Sequence, residues 1–345
     1  MLEARTLHEI VEQPEAWAAA IRSFDAAAPE VARLFREGSP DEVSFTGCGS
    51  SYYLSMTAAA ALQRVAGLRS RAVPASEILQ FPRGVFVPGS RPLLVASSRS
   101  GMTTETLRAL EIARRRGSAT LSLTCAPRSP LARGADFCII SPKGHEESVV
   151  MTKSFSSLLL LALLLAANHT QSMALRRDLR RLPALGKRIV KVALSLTGDL
   201  GADSARFVFL GGGPSHGIAW EAMLKMTEMA QRPAVAYHPL EFRHGPIAMV
   251  GPSTVVVFFG TRAGARLEAD LATDLRRHGA TVVSLRDEWR GAEELDVDVA
   301  LGVRLEDEAR CLLYLPFAQA LAYHRAIGAG LDPDRPRHLT SVVRL

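Results

Sequence analysis

The chain has 345 residues, 48% of them hydrophobic and 22% charged, which excludes a disordered polymer and leaves room for two domains or one large α/β unit. A net charge of +6 invites a nucleic-acid partner, yet the basic residues sit in mixed segments such as LRRDLRRLP, without aromatic interleaving or a recognisable DNA-binding module. No charged-then-apolar leader opens the sequence, and the run LLLLALLLAA at 158–167 falls short of the ~20 residues a bilayer needs, so the expectation is a cytoplasmic protein without a membrane span.

Residues 1–40 read as a helical segment preceding the first strand. Next comes VSFTG (43–47), ending in the glycine turn GCGSS and followed by a helix to about residue 66. The strand RPLLVAS, a helix ending ARRRG, and the strands ATLSLTC and DFCIISP complete the pattern, and the apolar 155–168 segment closes a first unit, 41–170. Residues 171–200, rich in Leu, Arg and Lys, read as a helical connector.

The order then recurs. RFVFLGGG (206–213) ends in a second glycine turn, and a helix runs through MLKMTEMAQ. TVVVFFG (254–260), a helix ending RRHG, TVVSLRD and VDVALGV follow, and RLEDEARCLLYLPFAQALAYHRAIG closes a second unit, 201–330, before a tail, 331–345. Two such βαβ series predict two open parallel sheets flanked by helices, with ligands at the C-terminal ends of the strands. The four cysteines, Cys48, Cys125, Cys138 and Cys311, stand far apart without metal-ligand spacing and read as buried free thiols.

Three features sit on those functional edges. The stretch ASSRSGMTTETL (96–107) crowds hydroxyls, an Arg and a Gly where a strand gives way to a helix. It is either a serine-rich loop whose last Thr caps the helix, or an anion cradle of hydroxyls, backbone N–H groups and a helix N-terminus. The glycine turns GCGSS and GGGPSHG lack the full dinucleotide fingerprint and the acidic residue after the next strand, which argues against NAD. Glu221, Lys225 and Glu228, at spacings of four and three, share one face of the helix after the second turn, as a solvated stripe or as a site.

The segments EIVEQPEA (9–16), GCGSSYY (47–53), SSRSGMTTETL (97–107), EESVVMTKSF (146–155), EAMLKMTE (221–228), EFRHGP (241–246) and LAYHRAIGAGLDPDRP (321–336) run in order nearly end to end. Together they resemble the sugar isomerase (SIS) family, in the tandem arrangement found in the isomerase part of glucosamine-6-phosphate synthase. The resemblance implies an α/β fold of two similar SIS-type open parallel sheets, doubly wound and flavodoxin-like. It also implies that Ser98, Arg99, Ser100 and Thr103 hold a substrate phosphate with help from Ser51 and Val149. Arg99 departs from the usual Gln and either adds charge to the cradle or points outward, the cradle being the expectation. Glu228 is implied as the proton-transfer base, Glu221 and Lys225 as its polar partners, and His244 as a ring-opening histidine that reaches the neighbouring subunit's site, which implies a homodimer.

Aldose–ketose interconversion moves a proton between adjacent carbons and needs a carboxylate that takes and returns it, with no metal and no redox cofactor. Synthases of the family carry a glutaminase domain whose catalytic Cys follows the initiator Met. Here Leu2 stands there, and about forty residues precede the first strand. The synthases also place a lysine near the C-terminus to form an imine with the ketose, where the matching tail RHLTSVVRL has Ser341. The resemblance therefore implies an isomerase that releases ammonia from an aminosugar 6-phosphate. The alternatives are a fructosamine-6-phosphate deglycase and a non-catalytic sugar-phosphate sensor.

Overall fold

The computed structural model describes residues 4–287 and 296–343. The first half contains β1 (Glu42–Gly47), β2 (Arg69–Pro74), β3 (Pro92–Ser98), β4 (Ala119–Thr124) and β5 (Phe137–Ile140), all parallel, in the order 2-1-3-4-5. The second contains β6 (Arg206–Gly211), β7 (Ala234–Tyr237), β8 (Thr254–Phe259), β9 (Thr281–Arg286) and β10 (Val297–Ala300), in the equivalent order 7-6-8-9-10. The duplicated doubly wound architecture read from the sequence is present. Each sheet has one strand more than the periodicity showed. The additions, β2 and β7, are edge strands: β2 is mostly half-exposed and carries Arg69 and Arg71, and β7 spans four residues. Neither has the continuous apolar run that marks a strand buried on both faces, such as β3 or β8.

Both glycine turns are set by sterics. A Cβ at Gly47 would overlap the Ser51 backbone, and one at Gly211 would overlap that of Ser215. In each case the helix starts so close to the strand end that only glycine fits.

The helix Lys153–His169 is buried at every position from Ser154 to Asn168. A helix apolar on all sides belongs inside a protein, and this one lies against the helices Gln13–Gly38 and Ser50–Ala66. The helix Asp307–Gly328 is its counterpart, packed on Met173–Thr197 and Ser215–Ala230. The segments read as an N-terminal extension and a connector are integral to the same core. Trp17 is fully buried and donates its indole N–H to Ser156 Oγ at 2.7 Å, and one hydrophobic cluster runs from Ile10 to Ala326 through both halves. Of the four cysteines, Cys125 and Cys311 are buried as expected, whereas Cys48 and Cys138 are only partly covered because they lie at a cleft and on an edge strand.

The halves meet where the helix Ser215–Ala230 crosses Ser50–Ala66. Gly217 makes the crossing possible, since a Cβ there would overlap the Tyr53 carbonyl oxygen and Thr57 Oγ1. Thr57 Oγ1 donates to the Pro214 carbonyl at 2.9 Å across the same contact. Gly217→Val is therefore expected to destabilise the fold by about 1–3 kcal/mol through overpacking, measured by urea unfolding. An unchanged midpoint would show that the crossing relaxes freely.

Candidate active site

The C-terminal ends of β1 and β3 flank the point where the strand order reverses, and a cleft of about 270 Å³ opens there. Two helices begin at it, Ser50–Ala66 and Thr104–Arg115, and neither has a side-chain cap on its first N–H groups. Thr103 occupies the N-cap position, but its hydroxyl lies 3.2 Å from Ser98 Oγ instead of capping the helix. Of the two readings of the hydroxyl loop, side-chain capping is thus not realised, and the helix end stays open toward the cleft. Ser98 Oγ accepts from the Gly101 N–H at 3.1 Å and Ser100 Oγ from the Met102 N–H at 3.2 Å, so the loop is folded tightly on its own backbone. Ser51, Ser98, Ser100 and Thr103 all line the cleft, with Val149 opposite. Such a set of neutral donors at two positive helix ends suits an anion.

The second half supplies a cluster of ionisable groups. Glu228 lines the same cleft, and its side chain is 14% exposed. Directly beneath it, Lys225 is fully buried and in contact with Glu228, and its Nζ lies 3.1 Å from Glu221 and 3.2 Å from Ser50 Oγ. Ser50 Oγ in turn donates to Glu221 at 3.1 Å. The spacing of four and three thus produces a linked triad, with Glu221 and Lys225 buried and Glu228 at the cleft, not a solvated stripe, because the helix turns that face onto the first half. Burial drives the Glu221 carboxyl well above the usual carboxylate range, with Lys225 opposing and Glu228 adding to the rise. Burial also pulls on the Lys225 ammonium, but the two glutamates outweigh it and hold it above its ordinary value. The arrangement keeps a cation under the Glu228 carboxylate in a dry setting.

Two expected site residues stand differently. Arg99 lines the cleft, but its guanidinium is turned away from the hydroxyls: Nη1 donates to the carbonyls of Ser148 (3.1 Å) and Val150 (3.2 Å), and Nη2 to those of Val149 (2.9 Å) and Ser341 (3.1 Å). Both terminal nitrogens are thereby engaged by carbonyls, where the sequence suggested a charge in the cradle or an outward side chain. His244 is exposed in the loop after Pro239–Phe242 and does not line its own chain's cleft.

Other contributors escaped the sequence reading. Ser50 bridges the halves, although it adjoins Ser51 in the glycine turn that signalled the site. Glu105, in the first turn of the Thr104–Arg115 helix, and Met151 add to the lining, as do Leu339, Thr340, Ser341 and Val343 of the tail. Cys48 is also present, but burial pushes its thiol up to about 11, so it is protonated and inert as a nucleophile near neutral pH.

The SIS domain family matches residues 39–168 and 202–322, the two halves just described. The chain belongs to the SIS family. It is 30% identical to glutamine–fructose-6-phosphate aminotransferase (isomerizing) of Chlamydia abortus over 98% of this chain and 58% of that protein, so it spans little more than half of that relative's length. Among solved structures, the glucosamine-6-phosphate deaminase of Thermotoga maritima superimposes with a TM-score of 0.83 at 32% identity, covering 99% of this chain and 100% of that one. The tagatose-6-phosphate ketose/aldose isomerase of Escherichia coli gives a TM-score of 0.86 at 25% identity, covering 96% and 95%. No helix among the described residues of this SIS protein is long and apolar enough to cross a membrane.

Removing the hydroxyls of the loop tests the cradle. Ser98→Ala with Ser100→Ala is expected to weaken phosphorylated ligands by ~2 kcal/mol or more, roughly one for each lost charge-assisted bond, and to leave unphosphorylated sugars nearly unaffected. Titration calorimetry with a sugar phosphate and its parent sugar measures the difference, and equal weakening of both would move the phosphate elsewhere.

Proposed function

We propose that this SIS protein isomerises an aminosugar 6-phosphate and releases its nitrogen as ammonia. The observation that supports this most is the sharing of one cleft by the hydroxyl loop, two open helix N-termini and Glu228, backed by the buried Lys225. In this reading the phosphate sits on Ser51, Ser98, Ser100 and Thr103, with Val149 against the sugar. Glu228 takes the proton from C2 of the open-chain aldehyde and returns it to C1, so that C1 becomes a hydroxymethyl group and C2 an imine. Water adds to the imine carbon, and the C–N bond breaks to leave a ketose 6-phosphate and ammonia. Lys225 supports and orients the Glu228 carboxylate that accepts the proton, while the raised Glu221 holds the lysine from below.

His244 opens the sugar ring in the same reading. Its exposure outside its own cleft fits a contribution to the cleft of a second copy, which makes the protein a homodimer. The higher sequence identity to the T. maritima deaminase, 32% against 25% for the E. coli ketose/aldose isomerase, supports deamination over a plain ketose–aldose exchange.

The deciding experiment is a panel of glucosamine, galactosamine and fructosamine 6-phosphates and the simple ketose phosphates, with ammonia, free amine and sugar phosphate all quantified. Ammonia in equal amount to ketose phosphate from a hexosamine phosphate is the expected result. Amine release from the fructosamine phosphate alone would establish a deglycase, and exchange without nitrogen release a simple isomerase. Tight binding without any turnover would establish a sensor. Co-expression of Glu228→Gln and His244→Ala chains should restore activity that neither has alone, and no recovery in mixed dimers would sink the shared site.

A further inference from the structure

Arg99 lies between two hydroxyls of the cradle, yet its side chain, 9% exposed, serves other segments. Its planar fork spans the carbonyls of Ser148, Val149 and Val150 on one side and that of Ser341 on the other. The segment 146–150 is itself rigidly held. The buried Glu146 carboxylate, 3.5 Å from Arg99 Nη1, accepts from the Thr152 N–H (2.6 Å), Thr152 Oγ1 (2.7 Å) and the Ser154 N–H (3.1 Å). Glu9, on the first helix (Arg5–Val11), accepts from the Glu147 N–H at 2.7 Å and from the Ser148 hydroxyl. The Asp334 carbonyl receives the Val149 N–H at 2.9 Å, while its carboxylate takes the N–H groups of Arg5 (2.9 Å) and Thr6 (2.8 Å).

The tail is the opposite case. Leu339 and Val343 are 42% and 52% exposed although they line the cleft. Among the described residues 339–343, the hydrogen bonds are Leu339 N–H to the Pro336 carbonyl, Thr340 Oγ1 to the Val342 carbonyl, and Arg99 to the Ser341 carbonyl. Only the last joins the tail to the cleft.

We infer that Arg99 is a positioning residue that latches the C-terminal tail over the cleft. The rigid 146–150 wall takes three of the four terminal N–H groups of the guanidinium, and the remaining Nη2–H is aimed at the tail. Phosphate on the flanking Ser98 and Ser100 immobilises the backbone from which Arg99 extends, so an occupied cradle holds the latch, and with it the tail, in place over the cleft. An arginine fills the role best, because a lysine ammonium carries its three donors on one atom and reaches only some of these carbonyls at once. It asks nothing of the residue 341 side chain, because Ser341 takes part through its carbonyl.

The latch rests on the proposed phosphate cleft but is read out independently of turnover. Hydrogen exchange of residues 339–343 is followed in the full chain, with and without inorganic phosphate, for the wild type, Arg99→Gln, Arg99→Lys and Ser341→Ala. Arg99→Gln frees the Ser341 carbonyl, and the resulting fraying should speed exchange of the tail's hydrogen-bonded amide, the Leu339 N–H, several-fold and cancel any protection by phosphate. Arg99→Lys should recover part of this, and Ser341→Ala should match the wild type. Exchange in Asp307–Gly328 reports whether each variant is folded, and if Arg99→Gln is not, Arg99→Lys decides alone. Tail exchange unchanged in the folded Arg99 variants would overturn the latch. With whichever sugar phosphate is turned over, Arg99→Gln, deletion of 339–345 and the two together form a double-mutant cycle, in which the double variant should be no worse than the deletion. Additive losses would show that Arg99 acts elsewhere. If no sugar phosphate is turned over, the functional reading fails while the exchange data still decide the latch.

Discussion

Glu228→Gln will abolish turnover by ~10²-fold or more while phosphate-ligand binding survives, because the amide keeps the size of the side chain and loses the proton acceptor. The hydroxyl cradle and the helix ends lie on the first half of the chain, whereas Glu228 comes from the second, so binding and chemistry are separable by substitution. The same variant should stop exchange of the substrate proton with solvent. For the wild type in D₂O, product should carry deuterium at C1 in some turnovers, since Glu228 is 14% exposed and can trade its proton with water. Binding titrations, ammonia release and mass spectrometry of the product check the three parts. A Glu228→Gln protein that keeps exchange would transfer the base role to another group.

Lys225→Met should cost about 3–5 kcal/mol of folding stability, the largest structural effect expected of a single change here. Methionine fills the volume of the lysine but leaves Glu221, fully buried, beside Glu228 without the cation between them. The pH dependence has a definite sign. Glu221 is raised above its ordinary 4.5 in the folded protein, so the native state binds its proton more tightly than the unfolded chain does. Without Lys225, which opposes the rise, that affinity grows. The charge part of the Lys225→Met deficit should therefore be small up to about pH 8, where Glu221 keeps its proton in both folded proteins, and widen as the pH climbs past about 8, where the wild type sheds it and the variant does not. Urea unfolding at several pH values measures it. Adding Glu221→Gln to Lys225→Met should recover part of the loss, whereas a deficit independent of pH would mean that packing, not charge, is what the lysine provides.

Some of the site was visible before any folding. The turns at Gly47 and Gly211, the apolar runs ending at Ser98 and Phe259, and the hydroxyls from Ser98 to Thr103 are local patterns, and a strand that runs into a helix places its loop at the sheet edge whatever surrounds it. The edge strands were not visible in this way, since Arg69–Pro74 and Ala234–Tyr237 derive their strand state from pairing with β1 and β6 rather than from an apolar sequence of their own. The same holds for Thr103. It occupies the N-cap position, where a threonine ordinarily caps, but its hydroxyl lies beside Ser98 Oγ instead.

The amino-acid sequence by itself determined the duplicated α/β series, the hydroxyl loop and the Glu221–Lys225–Glu228 face, because each depends on spacings within one strand, turn or helix. Only the tertiary structure decided what those parts do together. The crossing at Gly217 carries Glu228 from the second half into the first half's cleft, sets Ser50 between Glu221 and Lys225, and so converts a helical charge stripe into a buried Glu221–Lys225 pair beneath a cleft-lining Glu228. Likewise, Arg99 meets carbonyls at 148–150 and at 341, segments far from it in sequence. The direction of a long flexible cation is set by the acceptors that folding brings within reach, and no local pattern around residue 99 encodes them.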